Sequence, residues 1–438
     1  MTEMPKERKT AVKSTETVKK VRSVVRTMYS RAHQAKEQGI PVAYCMAGCA
    51  YNEILDAMGI VPIWTENYAG LCSAKQDSER FILKAEAEGY SNLICSYART
   101  GIGFDALRSE LHGTPPGSPD GGMAEPDMLL GCSFACDPRF KWYQALGRYK
   151  NTPIYAMDVV IPSVDADMNE VREYYVKYQT EQFKGLVDFL EKQTKKKLDY
   201  DKLSDVIDTT DETYRIWWEC YQLRKAIPCP MPSEDHFNAF VPGLFEAGKK
   251  ETVDFYRELY TEIEQRVQNK TGVIDEEKYR LLWAGGLPPW HNMWIFNYFE
   301  SHGAVFVIET MYKPPDPAKI PVIVTNPLER LAWRSILRWT EKHEKARQRS
   351  HNPEVEMILD MVDDYKIDGM VTHASKSCRA SSMGQMFFMD LVKTYVKVPS
   401  LQLTSDLVDA REYSQTQWLI QIDTFLETVN SAKRGKNL

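Results

Sequence analysis

The chain has 438 residues, of which 43% are hydrophobic and 26% charged, with a net charge of −6. That length exceeds one typical core and predicts two or three domains. The acidic balance argues against a nucleic-acid binder, which wants a basic face, and no apolar stretch approaches the roughly 20 residues that span a bilayer. No apolar leader with a small-residue cleavage site is visible, so secretion is not expected. Nine cysteines spread thinly through a chain this long do not make a disulfide scaffold. Thiols kept reduced in a cytoplasm, free to pack, react or bind metal, are the expectation.

In chain order, residues 1–40 form a basic segment in which Val18, Val21, Val25 and Met28 recur at helical spacing. A targeting presequence, a membrane-surface helix and a helix packed on protein compete there. Glu7, Glu16 and Glu37 favour the last, a solvated helix with one apolar stripe. Residues 41–165 alternate strand-like and helical stretches: strands at Val42–Tyr44, Ile60–Trp64, Leu93–Cys95, Met128–Leu130 and Ile154–Met157, with helices at Asn52–Met58, Ser78–Glu88 and around Phe140–Tyr149. Residues 166–277 read as mainly helical, notably Val171–Leu190 and Glu251–Val267. Residues 278–438 return to alternation, with strands at Tyr279–Ala284, Val305–Ile308, Met370–Thr372 and Ser400–Leu403 and helices at His291–Ser301 and Arg330–His351. Alternation of this kind predicts an α/β fold with two Rossmann-like parallel-sheet units, a helical segment between them and an N-terminal helix. The strand–loop–helix–strand order of Pro41–Trp64 recurs in Tyr279–Glu309, consistent with a distant duplication.

Cys95, Cys136 and Cys378 each follow an expected strand, and ligands of open α/β sheets sit beyond the carboxyl ends of strands. Arg99, Arg139 and Arg379 lie close to them in sequence, where cations favour thiolates and offset the negative charge of an iron–sulfur centre. The pairs Cys45/Cys49 and Cys132/Cys136 lack both a third cysteine of a radical cluster and zinc spacing, and small hydrophobes packed at i and i+4 explain them equally. Cys220 and Cys229 read as structural thiols.

Other motifs carry less. Gly101-Ile-Gly103-Phe-Asp-Ala106 matches a dinucleotide fingerprint, but Cys-Ser-Tyr-Ala-Arg-Thr separates it from the apolar Leu93–Ile94 run, so a flexible helix start beside the cysteine loop fits better. The Gly285-Gly286-Leu-Pro-Pro-Trp290 loop brings backbone and indole to a strand end. There Gly285, Gly286 and Trp290 are candidates to hold a planar ligand, or a rigid cover for the core. His373 and His291 are candidate proton donors, with a hydrogen-bonded structural histidine as the plain alternative. Glu53 opens a helix, where its charge suits the dipole.

Taken together, Asn52–Pro62, Ile94–Arg99, Cys136-Asp137, Gly285–Pro289 and His373–Arg379 resemble the 2-hydroxyacyl-CoA dehydratase/benzoyl-CoA reductase family. The run from Pro119 to Cys136 is most similar to the B-type core subunit of ATP-dependent benzoyl-CoA reductases. The resemblance implies a [4Fe-4S] cluster held by Cys95, Cys136 and Cys378, with Cys132 as an alternative ligand. It implies a related smaller core subunit, ATP-hydrolysing iron–sulfur activator subunits, reduced ferredoxin as electron source and an acyl-CoA substrate. The reaction implied is two-electron ring reduction of benzoyl-CoA. Dehydration of a 2-hydroxyacyl-CoA through a ketyl radical, or a non-catalytic scaffold role, are the alternatives. Where many relatives have a proline before the early glutamate, this chain has Ala50-Tyr-Asn-Glu53, which weakens any substrate role copied onto Glu53.

Overall fold

Short apolar runs bounded by turns become eight strands in the computed structural model, which describes residues 10–314, 324–340, 342–349 and 352–436. The first sheet holds β1 (Val42–Cys45), β2 (Val61–Trp64), β3 (Met128–Cys132) and β4 (Ile154–Met157) in the order β2-β1-β3-β4. The second holds β5 (Tyr279–Ala284), β6 (Ala304–Glu309), β7 (Gly369–Ser375) and β8 (Ser400–Ser405) in the order β6-β5-β7-β8. Every pairing is parallel. Strands β1, β3, β6 and β7 are buried along their whole length, and the first three read as largely apolar runs rather than alternating ones.

The chain is thus α/β with two doubly wound units, as expected, and both sheets share one strand order. The strand order reverses between β1 and β3 in one sheet and between β5 and β7 in the other, which creates a crevice beyond the strand ends in each. Four helices, Met168–Thr194, Tyr200–Leu223, Ser233–Phe245 and Lys250–Gln268, fill the span between the sheets. The N-terminal helix Val21–Glu37 lays Val21, Met28, Tyr29, Ala32 and Ala35 on the first unit. Ahead of it, Thr15 donates to Asp235 and Thr17 to Glu262, so the apolar stripe serves this chain's own core. Among the described residues no helix is long and apolar enough to cross a membrane.

Three local expectations are corrected. Leu93–Cys95 is a turn and not a strand: Leu93 is 80% exposed, and the Ser91 hydroxyl and carbonyl accept from the backbone N–H of Leu93 and Ile94. Two apolar residues after a serine cannot outcompete that local hydrogen bonding. The glycines of the fingerprint-like stretch lie inside the Ser96–Leu111 helix and not at its start. A Cβ on Gly101 would sit 1.9 Å from the Trp142 ring, and one on Gly103 would sit 1.7 Å from the Phe81 carbonyl oxygen. Close helix packing, not a dinucleotide turn, is their purpose. The charged Arg330–His351 stretch divides into Pro327–Thr340 and His343–Arg349, with His351 outside the described residues.

Because backbone cannot yield as a flexible side chain does, Gly103→Ala is expected to cost about 1–3 kcal/mol. The denaturant midpoint should fall clearly, whereas Gly113→Ala, which meets no atom within 4 Å, should leave it near that of the wild type.

Candidate metal centre

Each of the three cysteines sits at the N-cap of a helix. Cys95 precedes Ser96–Leu111, Cys136 precedes Asp137–Leu146, and Cys378 precedes the single turn Arg379–Ser382. All three are half-buried and unbonded. Their loops are tied together across the two units. The Ser96 N–H donates to the Ser377 hydroxyl at 3.1 Å, and the Arg379 guanidinium meets the Asp137 carboxylate at 2.7 Å. Behind the first of these ties lies Asp406, which is fully buried and accepts from Ser377 and from the backbone N–H of Val408 and Asp409. Arg99 is equally buried and bridges Glu86 at 2.7 Å and Asp409 at 3.0 Å.

The thiols feel one another. Burial pushes the Cys95 thiol well up, and the fields of Cys378 and Cys136 push it further. Burial also pushes Cys136 up to about 11, with Glu66 and Cys378 adding to the rise and Arg139 opposing it. With thiolates disfavoured at Cys95 and Cys136, three thiols at one half-buried junction suit a soft cationic partner. Among the described residues no set of histidine, cysteine and carboxylate groups closes around a single ion. A one-metal site would draw its ligand atoms to about 2.3 Å of one centre. A cuboidal cluster spreads its thiolates over several irons, and this donor set of three cysteines with nearby cations fits that form.

Aromatic rings wall the junction. The Trp290 indole N–H donates to the Tyr97 hydroxyl, and its ring lies against Gly70. Phe240 stands 6.3 Å from Trp290 and stacks on Tyr312 at 4.0 Å. The hydroxyls of Tyr97 and Tyr312 are both pushed up, chiefly by burial, with Cys95 and Cys378 respectively among the charges they sense. Glu66 accepts from Arg139 at 2.9 Å and from the Ala47 N–H at 2.9 Å, beside the loop that follows β1. Tyr97, Tyr312 and Glu66 were not singled out from the sequence, because nothing in their spacing marks them. They converge only where the first unit meets the loop after β6.

Other expected residues are placed differently. Cys132 ends β3 with its sulfur bonded to Cys49, 83 residues away, so it has no thiolate to offer and these two thiols are not reduced. Neighbouring strands put the pair within a Cα separation of 6.6 Å, a proximity that sequence spacing does not reveal. His373 is fully buried, with Nδ1 on the Leu287 carbonyl at 2.7 Å and Nε2 on the Ser405 hydroxyl at 2.8 Å. Both ring nitrogens are committed to holding β7, β8 and the glycine loop together. His291 is buried with Nε2 at 3.0 Å from the Asp406 carbonyl. In the structure both candidate proton donors hold buried hydrogen bonds to neighbouring loops. Gly286 lies so close to the His373 carbonyl that a Cβ would come within 2.2 Å, while Gly285 holds φ +69° with its N–H on Thr310. Of that loop, Trp290 reaches the cysteine junction. Glu53 is buried and ion-paired with Arg334, so a partner and not the helix dipole alone explains it. A 480 Å³ cavity lined by His33, Arg108, Glu125 and Lys150 sits at the far end of the Ser96–Leu111 helix, away from the cysteines.

A two-unit α/β chain with three unbonded thiols at the inter-unit junction offers a candidate site for a soft metal centre. More particularly, residues 49–429 match the family model of the 2-hydroxyglutaryl-CoA dehydratase D-component, and the chain belongs to that family. It is 26% identical to the (R)-phenyllactyl-CoA dehydratase alpha subunit of Clostridium sporogenes, over 95% of this chain and 96% of that one. It is 25% identical to the (R)-2-hydroxyisocaproyl-CoA dehydratase alpha subunit of Clostridioides difficile, over 94% and 96%. Identity to a benzoyl-CoA reductase subunit of Thauera aromatica is also 25%, over 96% of each chain. The relatives' names indicate one subunit of a multi-subunit enzyme acting on a CoA thioester.

Burial, reinforced by the field of His291, pushes His373 down to about 4 from an ordinary 6.5. His236 is likewise pushed down to about 4, by burial and by Arg224. A base with a depressed pKa stabilises the fold above its unfolded value and loses that contribution as pH falls toward the folded one. Stability should therefore drop between pH 6.5 and 4, by on the order of 3 kcal/mol per histidine. His373→Gln should lower the denaturant midpoint at pH 7 yet flatten its decline between pH 7 and 5.

Proposed function

We propose that this chain binds one [4Fe-4S] cluster through Cys95, Cys136 and Cys378 and acts, within a complex, on an acyl-CoA by one-electron chemistry. The observation that carries this reading is the meeting of the three N-cap cysteines from both units, each half-buried and unbonded. A bound cluster of this kind supplies single electrons at low potential. The chain's own residues supply the rest. Trp290, Tyr97, Phe240 and Tyr312 exclude water and offer flat apolar surface to an acyl group. The Tyr312 hydroxyl, kept protonated by burial beside Glu66 and Cys378, is placed to hold a proton at the junction, alongside the candidates His373 and His291. A partner subunit related to this chain, an ATP-hydrolysing activator and reduced ferredoxin complete the proposed assembly.

Dehydration of a 2-hydroxyacyl-CoA is the reading that the two dehydratase relatives favour. Reduction of benzoyl-CoA remains a second reading, favoured by the aromatic wall and by the Pro119–Cys136 run; identities of 26% and 25% do not separate the two.

Anaerobically purified protein, made with its partner subunit, is expected to contain iron and sulfide in near-equal amounts. Cys95→Ser, Cys136→Ser and Cys378→Ser should each lower both sharply, while Cys220→Ser leaves them intact. Full iron in all three variants would refute the ligand set. With an activator present, counting electrons per product separates the chemistries: dehydration consumes none in net, whereas ring reduction consumes two.

A further inference from the structure

Three arginines lie near the three cysteines in sequence, and the structure separates their roles. Arg99 is locked between Glu86 and Asp409 and serves the joint between units. Arg379 is 57% exposed and pairs with Asp137 at the surface, where water and salt screen its field. Arg139 differs from both. It is only 5% exposed and is held by the Glu66 carboxylate, the Phe134 carbonyl at 3.0 Å, the Ala47 carbonyl and, at 3.8 Å, the Cys49 sulfur. Its Nε–H has no hydrogen-bond partner. A buried guanidinium N–H left unmatched is costly unless something accepts from it.

Resting on the cluster reading above, we propose that Arg139, poised by Glu66, is a positioning residue that sets the reduction potential of the cluster held at Cys136. Its guanidinium is held on the Phe134 carbonyl, two residues before Cys136, and its unmatched Nε–H is the donor assigned here to that centre's sulfur. A cation beside a cluster stabilises the more negative, reduced form, and so does a hydrogen bond to sulfur. Glu66 opposes that effect by neutralising part of the charge.

Opposite signs make the test decisive. EPR-monitored redox titration of the full chain with its partner subunit, alongside iron per chain, is compared for wild type, Arg139→Gln, Arg139→Lys and Glu66→Gln. The midpoint is expected to become more negative in Arg139→Gln and less negative in Glu66→Gln. Arg139→Lys, which keeps charge but lacks the Nε–H, should fall between wild type and Arg139→Gln. Midpoints that stay put in iron-loaded variants, or move the same way in both, would overturn the proposal and leave Arg139 a brace. If the Arg139 variants hold no iron, Glu66→Gln decides alone: a less negative midpoint supports the proposal, and any other overturns it. Loss of iron in all three variants also means a brace. Absence of iron from the wild type would instead sink the cluster reading beneath.

Discussion

A buried carboxylate anchors the joint between the two halves of this chain. Asp406, at the end of β8, accepts from the Ser377 hydroxyl and backbone N–H and from the N–H groups of Val408 and Asp409. Burial works against its charge, yet those hydrogen bonds, led by that from Ser377, hold its carboxyl below the usual range. Ser377 in turn receives the Ser96 N–H, so the loop bearing Cys378 is fastened to the helix that starts after Cys95. Ser73 and Ser78 of the first unit both donate to the Val408 carbonyl, and Arg99 closes on Asp409. This joint, together with the Arg379–Asp137, Glu53–Arg334 and Trp290–Tyr97 contacts, brings the cysteine loops of the two units to one place.

The same joint explains why the cysteines sit where they do. Parallel sheets deliver their loops at one edge, and the reversal of strand order opens a crevice there. One unit brings Cys136 from the loop after β3, and the other brings Cys378 from the loop after β7. Cys95 comes from the connection between β2 and β3. Half-buried thiols crowded in this way resist ionising, as the raised Cys95 and Cys136 show. The arrangement is stable as a charged set only with positive charge at its centre or flank.

Much of this was legible from residue pattern. The strands of a covered parallel sheet appear as apolar runs, and seven of the eight start and end within two residues of expectation; Met370–Thr372 is longer in the structure, as Gly369–Ser375. Cys136 and Cys378 stood out because each lies beyond a strand in a loop that carries an arginine. Cys95 stood out for the same reason, although a turn and not a strand precedes it. What pattern alone could not show was anything set by two distant segments meeting. The Cys49–Cys132 bond, the Glu53–Arg334 pair and the Trp290–Tyr97 contact join residues 83, 281 and 193 positions apart. His373 lies five residues before Cys378 in sequence, but its ring is fully buried in β7 and bonded to Leu287 and Ser405, contacts that sequence spacing does not show.

The central claim, that Cys95, Cys136 and Cys378 hold one centre jointly, is tested most directly by mapping thiol alkylation with mass spectrometry before and after iron is chelated from anaerobic protein. All three should be protected together in the iron-loaded protein and become labelled together once iron is removed, while buried Cys220 and Cys229 stay unlabelled until the chain unfolds. Labelling of the three that ignores iron, or protection of one without the others, would contradict the account.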